Sequence, residues 1–457
     1  MKWTALSVLM LAAVLAAGAQ QPTENAVATN ARQVIQDLVA GNFGKVEAQY
    51  DAKMAAALPP GKLSDGFATI TQQVGAFQSI VSTNTSKVQG LDVAKLVCKF
   101  ASTTLDATVA YDPDGKIAGL GFRPHQEAAT VAPWTPPAYV TANSFTEQAL
   151  ELHNGDYVLP GTLTLPKGSG PFPAVVLVQG SGPHDQDETI GPNKTFKDLA
   201  WGLASRGIAV YRYTKRTQQY GTKSSTDPTK LTVEEETISD ARAAVELLSK
   251  QGGVNSKQIF VVGHSLGAYL APRIATKNEL ISGIVLMGAN TKPLEQVVVD
   301  QIRYLAGTGE ASSAEGEQQL AAAQKAAAQI ESPDLKPGDT VPFIGATTYG
   351  AYWLDLRDYD PVKTAAKLKI PILILQGGRD YQVTPANFAD WRTALGRKPN
   401  VTLKLFPDAN HLFEAGTGAS TPAEYDKPGH VEQPVIDAIA AFVLPTPNPG
   451  SLKGISN

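Results

Sequence analysis

Residues 259–267 read Ile-Phe-Val-Val-Gly-His-Ser-Leu-Gly, and they restrict what the chain can fold into more than any other stretch. Four apolar residues, three of them β-branched, make a short strand suited to burial. Gly263-His264-Ser265-Leu266-Gly267 fits G-x-S-x-G, and Ala268-Tyr269-Leu270-Ala271 continue with helical character. Strand, sharp turn and helix in that order present a serine hydroxyl above a sheet edge. Small residues two before and two after the serine let strand and helix approach. The helix N-terminus then favours negative charge developing beside the serine. The pentapeptide alone also suits a glycine-flanked turn in any α/β chain. Its flanking strand and helix, and the partners described below, separate the two readings.

A chain of 457 residues exceeds what one core usually holds, so two or three domains are expected. The net charge is −4, with no basic stripe and no aromatic–basic interleaving, which excludes a nucleic-acid partner. Residues 1–19 have the pattern of a signal peptide: Lys2, an apolar run over 5–16, and Ala17-Gly18-Ala19 as an A-x-A cleavage site. The run is too short to span a membrane comfortably, and no cysteine follows it to carry a lipid. The expectation is export to the periplasm or the exterior. Cys98 is the single cysteine, so an internal disulfide is excluded and stability must come from the core. Cys98 lies in a strand-like run, 95–100, and reads as a buried structural thiol.

Two units follow. In residues 27–125, helical periodicity over 31–40, 46–58 and 63–77 gives way to strands over 79–86, 96–102, 105–111 and 117–122. That order predicts a small α+β accessory domain. It has no His, Cys, Asp or Glu cluster at ligand spacing. Residues 126–143, with Pro133, Pro136 and Pro137 around Trp134, read as a linker. In 144–444 strands and helices alternate, predicting a mainly parallel sheet built from right-handed βαβ units. A hairpin over 145–152 and 159–165 opens it, around Asn154-Gly155-Asp156. Apolar runs at 174–178, 208–213, 280–287 and 371–375 suit strands buried on both faces. Residues 233–251 read as one long helix. Between 289 and 368 the alternation stops, predicting a helical cap over the strand C-terminal ends. Tyr349, Tyr352 and Trp353 lie close together there. They are expected to wall a substrate pocket, the alternative being that they fasten a helix to the sheet. Residues 445–457, rich in Pro, Gly and Ser, read as a disordered tail.

A nucleophilic serine needs a base, an acid that orients the base, and an oxyanion hole. His411 follows the strand at 401–406 and is favoured over His430 as the base. Asp380 lies just past the buried strand at 371–375, after Gly377-Gly378, and is favoured as the acid. Asp355, Asp358 and Asp360 are weaker candidates, since no buried strand delivers them. The amide of Leu266 should form one half of the oxyanion hole. The other should come from Gln179-Gly180-Ser181-Gly182-Pro183, with Ser181 first and Gly182 second.

Residues 145–443 resemble an α/β-hydrolase of the dienelactone-hydrolase/prolyl-oligopeptidase-like serine esterase group. The resemblance rests on Gln179-Gly180-Ser181-Gly182-Pro183-His184-Asp185, Gly191-Pro192-Asn193-Lys194, Asp198-Leu199-Ala200, Tyr211-Arg212-Tyr213-Thr214-Lys215-Arg216, 263–267, 377–380 and Asn410-His411. The front unit is similar in pattern to the small cystatin- or NTF2-like domains preceding such hydrolases. The resemblance implies hydrolysis of small carboxylic esters, with Ser265, Asp380 and His411 as a triad, and the expected aromatic wall near Ser265 would favour short acyl chains. It implies no metal and no organic cofactor. The chain departs from dienelactone hydrolases, whose nucleophile is a cysteine, and from prolyl oligopeptidases, which carry a β-propeller. A serine aminopeptidase or dipeptidase is the alternative, and a catalytically silent binding protein the alternative from another class. An aminopeptidase needs an acidic site for the substrate amine. Glu234-Glu235-Glu236 is the tempting run, but it reads as the solvated first turn of a helix. The oligomeric state is left open.

Overall fold

The computed structural model describes residues 24–88, 91–125, 134–308, 313–343 and 346–444. The signal-peptide and tail expectations fall outside these residues. The chain divides near residue 127 into two compact units.

In the first unit the helices Glu24–Val39, Phe43–Glu47, Ala52–Ala57 and Lys62–Val74 precede four strands in a simple antiparallel meander. The second expected helix is two short ones, because Asp51 caps a new start by accepting from the Met54 amide. Val34, Ile35 and Leu38 recur at helical spacing and pack with Leu96, Cys98 and Val109 from the sheet. Cys98 is fully buried, and burial pushes its thiol up to about 11, consistent with a packing role.

The second unit is built on an eight-stranded sheet. Its strands are β1 Phe145–Ala149, β2 Gly161–Pro166, β3 Phe172–Val178, β4 Ala209–Tyr213, β5 Val254–His264, β6 Ile281–Met287, β7 Ile372–Gly377 and β8 Val401–Phe406. The spatial order is β8-β7-β6-β5-β3-β4-β2-β1, parallel from β8 through β4 and antiparallel at the β4–β2 and β2–β1 pairs. Alternate residues of each central strand feed opposite faces: Val176 and Val261 join one core, Val175 and Val262 the other. The register aligns the strand ends, Val178 against Gly263 and Gly263 against Leu286, so the loops after β3, β5 and β6 leave from one edge.

Three local expectations change. β1 pairs with β2, and a separate hairpin, Leu152–Asn154 with Tyr157–Leu159, is inserted between them. The expected long helix begins with a π-helical turn, Glu234–Ile238, before Ser239–Ser249. Between β6 and β7 come the helices Leu294–Thr308, Ser313–Glu331, Gly350–Leu356 and Pro361–Lys367, with Tyr349 ending a short hairpin. Residues 134–143, expected within the linker, pack on this unit: the Trp134 indole N–H donates to Asp198 at 2.9 Å and its ring meets Trp201 edge-on. Among the described residues, no helix is long and apolar enough to cross a membrane.

Candidate active site

Ser265 lies between β5 and the helix Leu266–Ala275 at φ 52° and ψ −115°. A side chain at positive φ costs about 1–3 kcal/mol and persists only where its surroundings enforce it. The enforcement is visible. The Ser265 amide donates to the Met287 carbonyl at 2.9 Å, tying the turn to β6. A Cβ at Gly263 would run into the Gly267 carbonyl, and one at Gly267 into the Val178 carbonyl.

Asp380 and His411 come from the loops after β7 and β8. His411 Nδ1 is 2.7 Å from Asp380 Oδ2, and both residues are buried. The Gln382 and Val383 amides donate to Asp380 Oδ1 at 2.9 and 2.8 Å, and Gln376 Nε2 donates to Oδ2 at 3.2 Å. An acceptor so furnished places the proton on His411 Nδ1 and leaves Nε2 as the acceptor.

Ser265 and His411 line one cavity of about 220 Å³, together with Ser181 and Gly180. A Cβ at Gly180 would stand 3.1 Å from the Ser265 Cβ, a tight contact that glycine avoids. Leu266 opens the elbow helix. Gly182 is exposed at φ 92° and is not among the described lining residues. The apolar wall is Ile190, Leu294, Val297, Val298 and Val383, three of them from the helix Leu294–Thr308.

The expected pocket aromatics lie elsewhere. None of Tyr349, Tyr352 and Trp353 is among the described lining residues. Trp353 is 1% exposed, packs edge-on against Phe343, and donates to Thr348 Oγ1 at 2.8 Å. The Tyr352 hydroxyl donates to Glu236 at 3.0 Å. The helix Gly350–Leu356 turns its aromatic side chains into the core under the insertion, so they fasten it. The competing candidates are also spoken for. His430 faces Asp198 at 3.1 Å, Asp355 pairs with Arg273 at 2.7 Å, Asp358 is exposed, and Asp360 caps the helix Pro361–Lys367.

Sequence reasoning passed over Glu188 and His264. His264 occupies a variable position of the pentapeptide, and Glu188 lies in a loop with two other acids, so no pattern marks either. Their side chains are 1% and 2% exposed and stand 3.0 Å apart, as an ion pair not aligned as a hydrogen bond. Glu188 Oε1 accepts from the Gly180 amide at 2.7 Å, and His264 Nε2 donates to the His411 carbonyl at 3.0 Å. The two imidazole rings lie 4.7 Å apart. Burial works against charge on His264, but the facing Glu188 carboxylate overrides it and the pKa is raised. Burial likewise acts to raise Glu188, and the imidazolium overrides that and lowers it. Both ring nitrogens of His264 face acceptors, as only the charged form can satisfy. Among the described residues, no group of three or more His, Cys, Asp or Glu could hold a metal ion.

This sheet, with a strained serine after β5 and a histidine–aspartate pair from the two last strand ends, defines the α/β-hydrolase class. Residues 174–415 match the family model described as "Serine aminopeptidase, S33", and the chain belongs to that family, as a hydrolase of the esterase type. It is 41% identical over 410 residues to Esterase EstD of Thermotoga maritima, an alignment covering 90% of this chain and 93% of that protein. Residues 31–120 match a model described as "Protein of unknown function (DUF3887)". Among solved structures, Est1E from Butyrivibrio proteoclasticus is 16% identical, covers 65% of this chain and 95% of its own, and has a TM-score of 0.41. An esterase of Pyrococcus furiosus is 19% identical, with coverages of 61% and 89% and a TM-score of 0.40.

Proposed function

We propose that the protein is an exported serine carboxylesterase that cleaves esters of short acyl chains. Ser265 Oγ attacks the ester carbonyl carbon as its proton passes to His411 Nε2, while Asp380 holds the imidazole by Nδ1. The amides of Leu266 and Ser181 stabilise the oxyanion. The C–O bond to the alcohol breaks, and His411 returns the proton to the leaving alcohol. Water then attacks the acyl-enzyme, His411 takes its proton, and the carboxylic acid leaves as Ser265 regains its own.

The observation that carries this reading is the 2.7 Å His411–Asp380 pair in a histidine that shares its cavity with a positive-φ serine. The short-acyl preference rests on cavity size: about 220 Å³, with an apolar wall, against the roughly 300–1,000 Å³ usual for ligand pockets. Against removal of amino-terminal residues stands the lack, among the described lining residues, of a free carboxylate for the substrate amine. The acid among the described lining residues is Glu188, which His264 and the Gly180 amide already engage. Export rests on the pattern of residues 1–19, and the front unit, 27–125, is taken as an accessory domain outside the reaction.

The experiment is kcat/KM over an acetyl-to-decanoyl ester series, with an amino-acid arylamide alongside, for wild type and the variants Ser265→Ala, His411→Ala and His430→Ala. The first two should lose about 10⁴-fold or more, because the residues act as a unit. His430→Ala should keep its activity. An active Ser265→Ala, an inactive His430→Ala, or faster arylamide than ester cleavage would overturn the corresponding part.

A further inference from the structure

Lys215 is 2% exposed and follows β4 by two residues. Its ammonium donates to the Gly180 carbonyl at 2.8 Å. Its counter-charge is Glu236, whose Oε1 stands 3.4 Å away. Glu236 is also buried, against the expectation that its acidic run is solvated, because the π-helical turn Glu234–Ile238 rotates it inward. Thr217 Oγ1 and the Tyr352 hydroxyl donate to its two oxygens at 3.3 and 3.0 Å. Burying two charges costs several kcal/mol each before they attract one another, and a pair of apolar side chains would often serve stability better. Such a pair therefore calls for an explanation at the one backbone group it touches.

That group is the Gly180–Ser181 peptide. Its carbonyl belongs to Gly180 and its N–H to Ser181, and the peptide is trans. In a trans peptide the C=O and N–H point in opposite directions in one plane. Fixing the carbonyl on Lys215 therefore fixes the direction of the Ser181 N–H. A cation on the carbonyl oxygen also polarises the peptide and strengthens that N–H as a donor. The preceding amide, of Gly180, is taken by Glu188 at 2.7 Å, and so cannot serve as the donor in place of Ser181. Loop residues Gly180 and Gly182 have no side chains with which to fix this plane by packing.

We propose that Lys215, held by Glu236, is a positioning residue that orients and polarises the Ser181 amide as an oxyanion donor. This rests on the serine-esterase reading above. The π-helical turn and Tyr352 set the carboxylate that keeps the lysine in place, so the insertion between β6 and β7 reaches the reaction through the oxyanion loop.

The test uses the full chain. Lys215→Met removes the ammonium but strands the Glu236 charge, so the double variant Lys215→Met/Glu236→Gln, which leaves no unpaired charge, is measured beside it. Removing an oxyanion donor outright costs about 10²–10³-fold in kcat, so loss of its support is expected to cost about 10- to 100-fold in kcat with KM little changed. Rates are taken per active serine, counted by the end-point of labelling with a serine-reactive phosphonate. The same variants should bind an ester-analogue trifluoromethyl ketone, whose adduct carries the oxyanion, more weakly by the factor lost in kcat/KM. A merely structural lysine would lower thermal stability and active fraction but leave kcat per active serine and the ketone Ki alone. If the double variant folds and keeps both, the proposal is overturned. Ser265→Ala in the same series separates the failures: an active Ser265→Ala removes the esterase reading and the proposal with it. An inactive one beside an unaffected double variant removes the lysine's role only.

Discussion

Glu188→Gln isolates the charge of the buried pair from its hydrogen bonds. The amide oxygen can still accept from the Gly180 N–H, and the amide nitrogen faces a neutral His264 Nδ1, whose Nε2–H still meets the His411 carbonyl. What disappears is the ion pair. At 3.0 Å and an effective dielectric of about 20, two unit charges attract by about 5.5 kcal/mol. Burying both charges costs several kcal/mol each, so the two contributions nearly cancel. Near neutral pH the variant is therefore expected within about 2 kcal/mol of wild type. Glu188→Ala, by contrast, strands His264 and the Gly180 amide and should lose about 3–5 kcal/mol.

The pH dependence tells more than the midpoint. His264 has a raised native pKa, so its contribution is fully present below the ordinary value of 6.5 and is lost as pH rises through the native one. Glu188 has a lowered native pKa, so its contribution is present above 4.5 and is lost as pH falls through the native one. Wild-type stability minus that of Glu188→Gln should thus be greatest between the two and fall away on both sides. Urea unfolding of both proteins from pH 3 to 10 measures this. Curves that run parallel across the range would refute the charged pair.

Trp353→Ala should lose about 3–5 kcal/mol, read as a lowered urea midpoint, with the acyl-chain profile per active serine unchanged, because the indole is core and not wall. Val298→Ala, in the cavity wall, should do the reverse. With each buried methylene worth about 0.8 kcal/mol, it should raise kcat/KM several-fold for the next longer acyl chains relative to acetyl, at a modest cost in stability.

What could be read in the sequence was what is enforced locally. The elbow needs glycines at fixed offsets and an apolar strand before them, and the two last loops follow recognisable strands. His411 and His430 separate on that ground alone: one follows β8 and meets Asp380, the other precedes the helix Gln433–Val443 and meets Asp198. The aromatics at 349–353 marked burial correctly in Trp353 but carried no information about which side of the helix faces the cavity. That is fixed by the hairpin Thr340–Phe343 with Ala346–Tyr349, where Phe343 meets the indole. Glu188 and Lys215 find their partners 76 and 21 residues away, by pairings across the sheet's loops that no periodicity encodes.

These long-range charges share a physical cause. A loop that passes within touching distance of the Ser265 Cβ is crowded by any side chain at Gly180. With glycine at 180 and 182 the loop has little side chain to bury there. The remaining means of fixing it are directional contacts to its own N–H and C=O. The structure uses one carboxylate and one ammonium on Gly180, Glu188 on its amide and Lys215 on its carbonyl, and the His184 ring donates to the next carbonyl, that of Ser181. Each must be buried to reach the loop, and each then needs a counter-ion, which is why His264 and Glu236 are buried as well. Holding Gly180 beside Ser265 thus brings four buried charges to a site whose reaction directly employs none of them.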